Sequence, residues 1–253
     1  MSSYSWSLPF FSEGEPQRGQ RRFALIILNQ PFAFELFRRL WDSSEWHCCA
    51  DGGANRLHDA CMQQGGQDLR SRYLPNMIKG DLDSLRSDVR EYYTSQGVLV
   101  VRDDDQNSTD LMKCIYELSA IEKQEGDNSY ELIVLGGLSG RLDQTIHTLS
   151  LLYKQRKTGR RIYAVNDENV AWVLDKGEHL IDIDHTLFGQ TCGLLPVGVD
   201  SSVLTTTGLR WNLTEHESGF EGMVSTSNHL VPEEPIVYIK TSRAIWWTME
   251  LRI

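Results

Sequence analysis

No apolar run in this chain is long enough to cross a bilayer: the longest, Phe23 to Leu28, has six residues, against the ~20 that a membrane helix needs. Nor is there an excess of positive charge. Twenty-five lysines and arginines face 35 aspartates and glutamates, a net charge of −10, which argues against broad binding to nucleic acid or anionic membranes. The zinc-ligand spacings of cysteine and histidine, the Gly-Lys-Ser/Thr of a Walker loop and the G-x-S-x-G of a serine hydrolase are all missing. The seven histidines are scattered with no triad spacing. Cysteine is sparse and odd in number, five in all, with Cys48 and Cys49 adjacent inside an expected strand. That pattern fits reduced core thiols in a cytoplasmic protein. Residues 1–22 lack an apolar signal core, and Glu13 and Glu15 speak against a transit peptide. They are expected to form a flexible arm.

What remains is ordinary globular material, 40% apolar and 24% charged over 253 residues, enough for one large domain or two small ones. From residue 23 to 168 short apolar runs alternate with helical periodicity. FALIIL and WHCCA read as strands, ANRLHDACMQQ and SDVREYYTSQ as helices. The helix from Asp110 carries Leu111, Cys114, Ile115 and Leu118 on one face, and the helix LDQTIHTLSLLYKQR carries Leu142, Ile146, Leu149 and Tyr153. Repeated strand–helix units predict an α/β domain, a Rossmann-like parallel sheet with helices on both faces. Over 169–253 helical periodicity vanishes. Short β-rich runs between Gly, Pro, Asp and Asn predict an all-β sandwich whose final strands pair as a hairpin around Thr241–Arg243.

In a parallel sheet, ligands meet the carboxyl ends of strands, and that is where the acids fall: Asp51, Asp81, Asp83 and Asp110. Clustered carboxylates repel unless some are protonated or a cation sits among them. Oxygen ligands without His or Cys favour Mg²⁺. Asp83 and Ser84 also suit a helix cap. Two strand–glycine–helix junctions, Asp51-Gly52-Gly53 and Leu135-Gly136-Gly137 with Arg141 and Asp143 beyond it, could present backbone N–H groups to phosphate or be plain tight turns. Lys79 is a candidate phosphate cation or an ordinary strand-end lysine. In the β-rich part, Trp172, Trp211, Trp246 and Trp247 are heavy aromatic loading. Strand alternation implies that one of Trp246 and Trp247 faces outward, as core plus interface or as a stacking platform for a flat cationic ring. Ser225–Asn228 offers polar groups for a heterocycle, or a turn. These residues point to a Mg²⁺-dependent enzyme acting on phosphates.

CADGGANRL, GDLDS, DQNSTD, LGGLSGRLDQ, GLRWNL, STSN and the terminal WWTM, in that order, closely resemble the eukaryotic thiamine pyrophosphokinase family over about residues 23 to 253. The resemblance implies transfer of pyrophosphate from ATP to the hydroxyethyl group of thiamine, giving thiamine diphosphate and AMP. It implies Mg²⁺ on Asp81, Asp83 and Asp110, with Asp51 and Gln106 lining the phosphate site and Asp143 in the substrate cleft. Ser227, Asn228 and Trp247 match the family's thiamine-facing residues. A homodimer with its active site at the subunit interface is also implied. Either Asp143 or Asp51 suits the role of general base. The chain departs from the pattern at Leu82, where an aromatic is expected, and at Asn107-Ser108, where a more acidic or His-containing pair is expected. Two other readings compete: a phosphatase using Asp81 as nucleophile, and a non-catalytic thiamine or nucleotide sensor.

Overall fold

The computed structural model describes residues 2–12, 21–65, 67–126 and 129–252. In chain order they form β1 (Ser3–Trp6), β2 (Phe23–Ile27), α1 (Phe34–Asp42), β3 (Trp46–Ala50), α2 (Gly53–Gly65), α3 (Gln67–Arg72), β4 (Met77–Gly80), α4 (Ser87–Ser95) and β5 (Leu99–Arg102). There follow α5 (Asp110–Gln124), β6 (Glu131–Leu135), α6 (Leu142–Gln155), β7 (Ile162–Val165), β8 (Asn169–Leu174), β9 (Gly177–Asp182) and β10 (Phe188–Leu195). The last are β11 (Ser201–Thr207), β12 (His216–Gly219), β13 (Ser225–His229), β14 (Ile236–Thr241) and β15 (Ile245–Leu251). The fold is mixed α/β with a strand-rich C-terminal region. None of the described helices is long and apolar enough to cross a membrane.

The chain divides into two compact units, Glu13–Thr145 and Met1–Ser12 with Ile146–Ile253. In the first, parallel strands run in the order β6-β2-β3-β4-β5. β2 is apolar at every position and buried throughout, as expected for a parallel strand covered on both faces. α5 begins behind Thr109, whose hydroxyl accepts from the Met112 amide at 3.5 Å. Its stripe of Leu111, Cys114, Ile115 and Leu118 is buried as its spacing predicts.

In the second unit one sheet has the order β1-β9-β14-β11-β12, and other strands run β13-β10-β15-β8-β7. Rings from the two meet: Trp6 of β1 lies 5.6 Å from Trp172 of β8 and 6.4 Å from Tyr163 of β7. Burying such rings contributes a few kcal/mol each, about 25 cal/mol per Å² of apolar surface.

Three expectations are corrected here. The N-terminal segment is not a free arm over its first residues: β1 pairs in parallel with β9, and Trp6, Phe10 and Phe11 are buried. Residues 13–20 of that expected arm lie outside the described residues. The compact units divide at residues 145 and 146, while the domain boundary expected near 168 falls between β7 and β8. Position 168 lies in a tight β7–β8 connection, where the Asn166 side chain accepts from the Asn169 amide at 2.7 Å. The terminal strands form no hairpin, because β14 pairs with β9 and β11 while β15 pairs with β8 and β10. On α6 the buried residues are Thr148, Leu151 and Leu152, whereas Leu142 and Ile146 are 74% and 53% exposed. The apolar stripe therefore does not mark this helix's buried face.

Candidate active site

Three chain segments converge because a glycine lets them. A Cβ on Gly80, the last residue of β4, would sit 2.8 Å from the Asp51 Cβ and 2.9 Å from Asp110 Oδ1, so no larger residue fits between these acids. Gly52 and Gly53 are equally confined: a Cβ would meet Asn29 Nδ2 at 2.3 Å and the Ile27 carbonyl at 2.2 Å. Asp51 continues the β3 ladder, its amide donating to the Lys79 carbonyl at 3.0 Å, and then turns with φ +43°. Aspartate tolerates that left-handed region better than most residues.

One carboxylate oxygen from each of Asp51, Asp81 and Asp83 lies within 4.8 Å of the other two. At that separation like charges repel by about 3.5 kcal/mol per pair at an effective dielectric of 20, less where solvent screens them. Asp51 is buried; its Oδ2 accepts from the Ser84 amide at 3.2 Å, while its Oδ1 has no partner. Burial, with a smaller contribution from the Asp110 charge, raises the proton affinity of Asp51 above the ordinary carboxylate range. Asp81 Oδ1 accepts from the Asp83 amide at 3.2 Å, and Leu82 between them has φ +65°. The departure from the family pattern at Leu82 thus falls on a left-handed residue inside the acidic turn.

Asp110 stands one bond away from this group. Its Oδ1 accepts from the Asp81 amide at 3.2 Å and from the ammonium of Lys113 at 3.3 Å. Lys113 is nearly fully buried. Burial raises the Asp110 proton affinity, Lys113 opposes that rise, and the Asp81 charge adds to it. The metal set read from the sequence was Asp81, Asp83 and Asp110. The oxygens that cluster tightly are those of Asp51, Asp81 and Asp83, since Asp110 is drawn to Lys113.

The remaining expected residues of this unit fall as follows. Lys79, offered as a phosphate cation, has its ammonium 2.7 Å from Glu117 and 3.9 Å from Asp103, so its charge is already matched. Gln106 is exposed and donates to the Asp104 carbonyl at 3.4 Å. Gly136 and Gly137 have φ +102° and +83°. Arg141 and Asp143 form an exposed ion pair at 2.6 Å, which lowers the Asp143 pKa. Asn29, Gln30, Asn55 and Lys113 were missed in the sequence. Asn55 donates to the Ser84 carbonyl at 2.7 Å and accepts from the Arg86 amide at 3.1 Å, bracing the acidic loop. The polar pair Asn29-Gln30, directly after an apolar run, was the available signal.

In the strand-rich unit the expected exposed tryptophan is a different one. Trp246 and Trp247 are both buried, at 1% and 0% exposure, because both faces of β15 are covered; the one-in, one-out expectation fails. Trp211 is 52% exposed, with the Arg210 guanidinium over its ring at 4.9 Å. Asn228 is buried and uses its amide as a clamp, accepting from the Trp211 amide at 3.2 Å and donating to its carbonyl at 2.8 Å. Ser227 is exposed with φ +54°.

Comparison with known proteins bears on both units. Residues 37–164 match the family model of the thiamin pyrophosphokinase catalytic domain, and residues 178–246 that of the thiamin pyrophosphokinase vitamin B1 binding domain. Thiamine pyrophosphokinase 3 of Oryza sativa subsp. japonica is 36% identical over 236 residues, covering 91% of this chain and 87% of the relative. The Saccharomyces cerevisiae thiamine pyrophosphokinase is 31% identical over 82% of this chain and 79% of its own. The crystal structure of yeast thiamin pyrophosphokinase superposes with a TM-score of 0.85 at 28% identity, covering 98% of this chain and 91% of that one. The Candida albicans enzyme gives 0.81 at 28% identity, over 92% and 90%.

Proposed function

The chain belongs to the thiamin pyrophosphokinase family, and from that premise we propose that the carboxylates following β3 and β4 carry out its reaction. The protein is an enzyme, and its reaction is the transfer of pyrophosphate from ATP to thiamine, giving thiamine diphosphate and AMP. The observation that carries the site assignment is the grouping of Asp51, Asp81 and Asp83 around a buried, unpartnered Asp51 oxygen. A family kinase uses a divalent metal with its nucleotide, and the all-oxygen donor set fits Mg²⁺. Asp51, Asp81 and Asp83 would hold it, with Asp110 completing the set. When bound, the ion would offset phosphate charge.

The chain's own residues supply the rest by positioning. Gly52, Gly53 and Gly136 offer backbone N–H groups to the polyphosphate, with Gln106 and Arg141 beside it, while the Gly137 amide is held by Gln30 and shapes the turn. The thiamine hydroxyl must lose a proton, and Asp51 and Asp143 are the candidate acceptors. The Arg141 pairing weakens Asp143 as a base, and a cation held by Asp51 would likewise weaken that carboxylate. For thiamine we assign the region of Ser227 and Asn228, with the exposed Trp211 ring as the stacking surface and Trp247 as buried support. We read the two layers of the second unit as a sandwich and the first as a Rossmann-like sheet. The working form is a homodimer with its active site at the subunit interface, a reading that the exposed Trp211, Phe220 and Leu142 support. Five buried free thiols suit the cytoplasm.

The test is to supply ATP, Mg²⁺ and thiamine and to resolve the products. AMP should appear in step with thiamine diphosphate, and both should vanish with EDTA or in Asp83→Asn. ADP or free phosphate without a thiamine ester would contradict the proposal.

A further inference from the structure

β2 lies between β3 and β6, so the residues that leave it run between the two glycine turns of the site. Asn29 and Gln30 fill that place. Asn29 lies against the Gly52 turn, where an added Cβ would sit 2.3 Å from its Nδ2, and its Oδ1 accepts from Arg56 Nε at 2.9 Å. Gln30 is buried and makes three hydrogen bonds to the other turn. Its Nε2 donates to the Ser139 carbonyl at 2.6 Å, and its Oε1 accepts from the Gly137 amide at 2.9 Å and the Ser139 hydroxyl at 3.0 Å.

The turn so held is a costly one to keep. Gly136, Gly137 and Gly140 all have positive φ, at +102°, +83° and +83°, and glycine gives up the most conformational freedom when fixed. A Cβ on Gly136 would come within 3.4 Å of the Gln30 Cβ, and one on Gly140 within 3.3 Å of its Nε2. The amide therefore sits against the turn along its length. Neutral glutamine is also the one side chain of this shape that can both donate and accept here without adding charge.

We propose that Gln30 is a positioning residue that presets the Gly136–Gly140 turn to receive the polyphosphate of ATP. The inference rests on the reading of that turn as part of the phosphate site. A preset turn loses less entropy when the anion arrives, so the effect falls on ATP and not on thiamine. The charge-neutral amide matters as much as the bonds. Glutamate at this position keeps the acceptor for the Gly137 amide and the Ser139 hydroxyl, but it places a carboxylate where phosphate binds.

Steady-state kinetics on the Mg²⁺-loaded enzyme with Gln30→Met and Gln30→Glu tests this, with folding checked by circular dichroism and thermal melting. The KM for ATP should rise by about tenfold in Gln30→Met and further in Gln30→Glu, while the KM for thiamine stays within about twofold. A role confined to bracing the fold would lower the melting midpoint without singling out the KM for ATP, because a buried carboxylate 2.6 Å from the Ser139 carbonyl destabilises the fold whatever the turn binds. Gln30→Glu milder than Gln30→Met, or an unchanged KM for ATP in both, would overturn the proposal. Should either variant fail to fold, Ser139→Ala removes one bond from the turn's side, and the KM for ATP should rise about twofold to threefold; no rise would overturn the proposal. An unchanged KM for ATP beside a dead Asp83→Asn would overturn the role of Gln30 and leave the carboxylate assignment standing. An active Asp83→Asn would instead remove that assignment.

Discussion

The unit Glu13–Thr145 and the unit built from Met1–Ser12 with Ile146–Ile253 use polar side chains for opposite ends. In the first, carboxylates are gathered at strand ends against their mutual repulsion, and one buried Asp51 oxygen is left without a partner. In the second, polar groups brace aromatics: His179 accepts from Trp6 Nε1 at 3.0 Å, and Asn228 clamps the Trp211 backbone. The first arrangement stores unfavourable electrostatics that a cation would relieve. The second builds a rigid support from which one ring emerges. Substitutions in the two units should therefore separate activity from stability.

The largest effect is expected at Asp83, which is exposed and carries little of the fold. Asp83→Asn should lower kcat/KM by roughly a thousandfold or more, the scale for losing an electrostatic transition-state contact, with the melting midpoint nearly unchanged. A buried tryptophan should behave in the reverse sense. Trp247→Ala should cost about 3–5 kcal/mol of unfolding free energy in chemical denaturation, by leaving a cavity. Trp211→Ala, at an exposed ring, should leave stability within about 1 kcal/mol and raise the KM for thiamine by about tenfold. If Trp211→Ala destabilised as much as Trp247→Ala, the contrast drawn between the two rings would collapse.

A pH experiment sharpens the same comparison. Asp51 binds its proton more tightly in the folded chain than the ordinary carboxylate value of 3.8. Between that value and its raised one, the folded state holds more protons than the unfolded state, so metal-free stability falls as pH rises through that window. The loss persists at neutral pH. Metal-free Asp51→Asn should then melt higher than the parent at pH 7, and the gap should close on acidification toward the unfolded value. Equal melting midpoints at pH 7 would show that Asp51 carries no such strain. The smallest effect is expected at the exposed Arg141–Asp143 pair. Arg141→Gln should leave the melting midpoint unchanged, as surface ion pairs usually do, and act only on the KM for ATP.

How much of this was readable in advance follows the physics of each feature. β2 could be read because a strand buried on both faces has to be apolar throughout. Asp51, Asp81 and Asp83 could be read because they directly follow the short strands β3 and β4, and Asp110 because it opens a helix. The tryptophan pair misled, since alternation along a strand says which residues share a face but not whether both faces are covered. The β14 and β15 runs look like a hairpin until their partners are known, and the partners of β14 lie at least 31 residues away on β11 and at least 54 away on β9. Gln30 was invisible for a related reason: its reach to Ser139 depends on β2 and β6 being neighbours. Leu82 and Gly80 show a finer limit, because a backbone angle and a missing Cβ decide where the carboxylates meet.

The most direct test of the account follows the phosphorus itself. ATP labelled at the β-phosphorus should be incubated with the protein, Mg²⁺ and thiamine, and the label traced. The account predicts that the label leaves the nucleotide completely and appears in thiamine diphosphate, with unlabelled AMP released in equal amount. Label retained in ADP, whether or not a thiamine monophosphate forms, would contradict pyrophosphoryl transfer at this site.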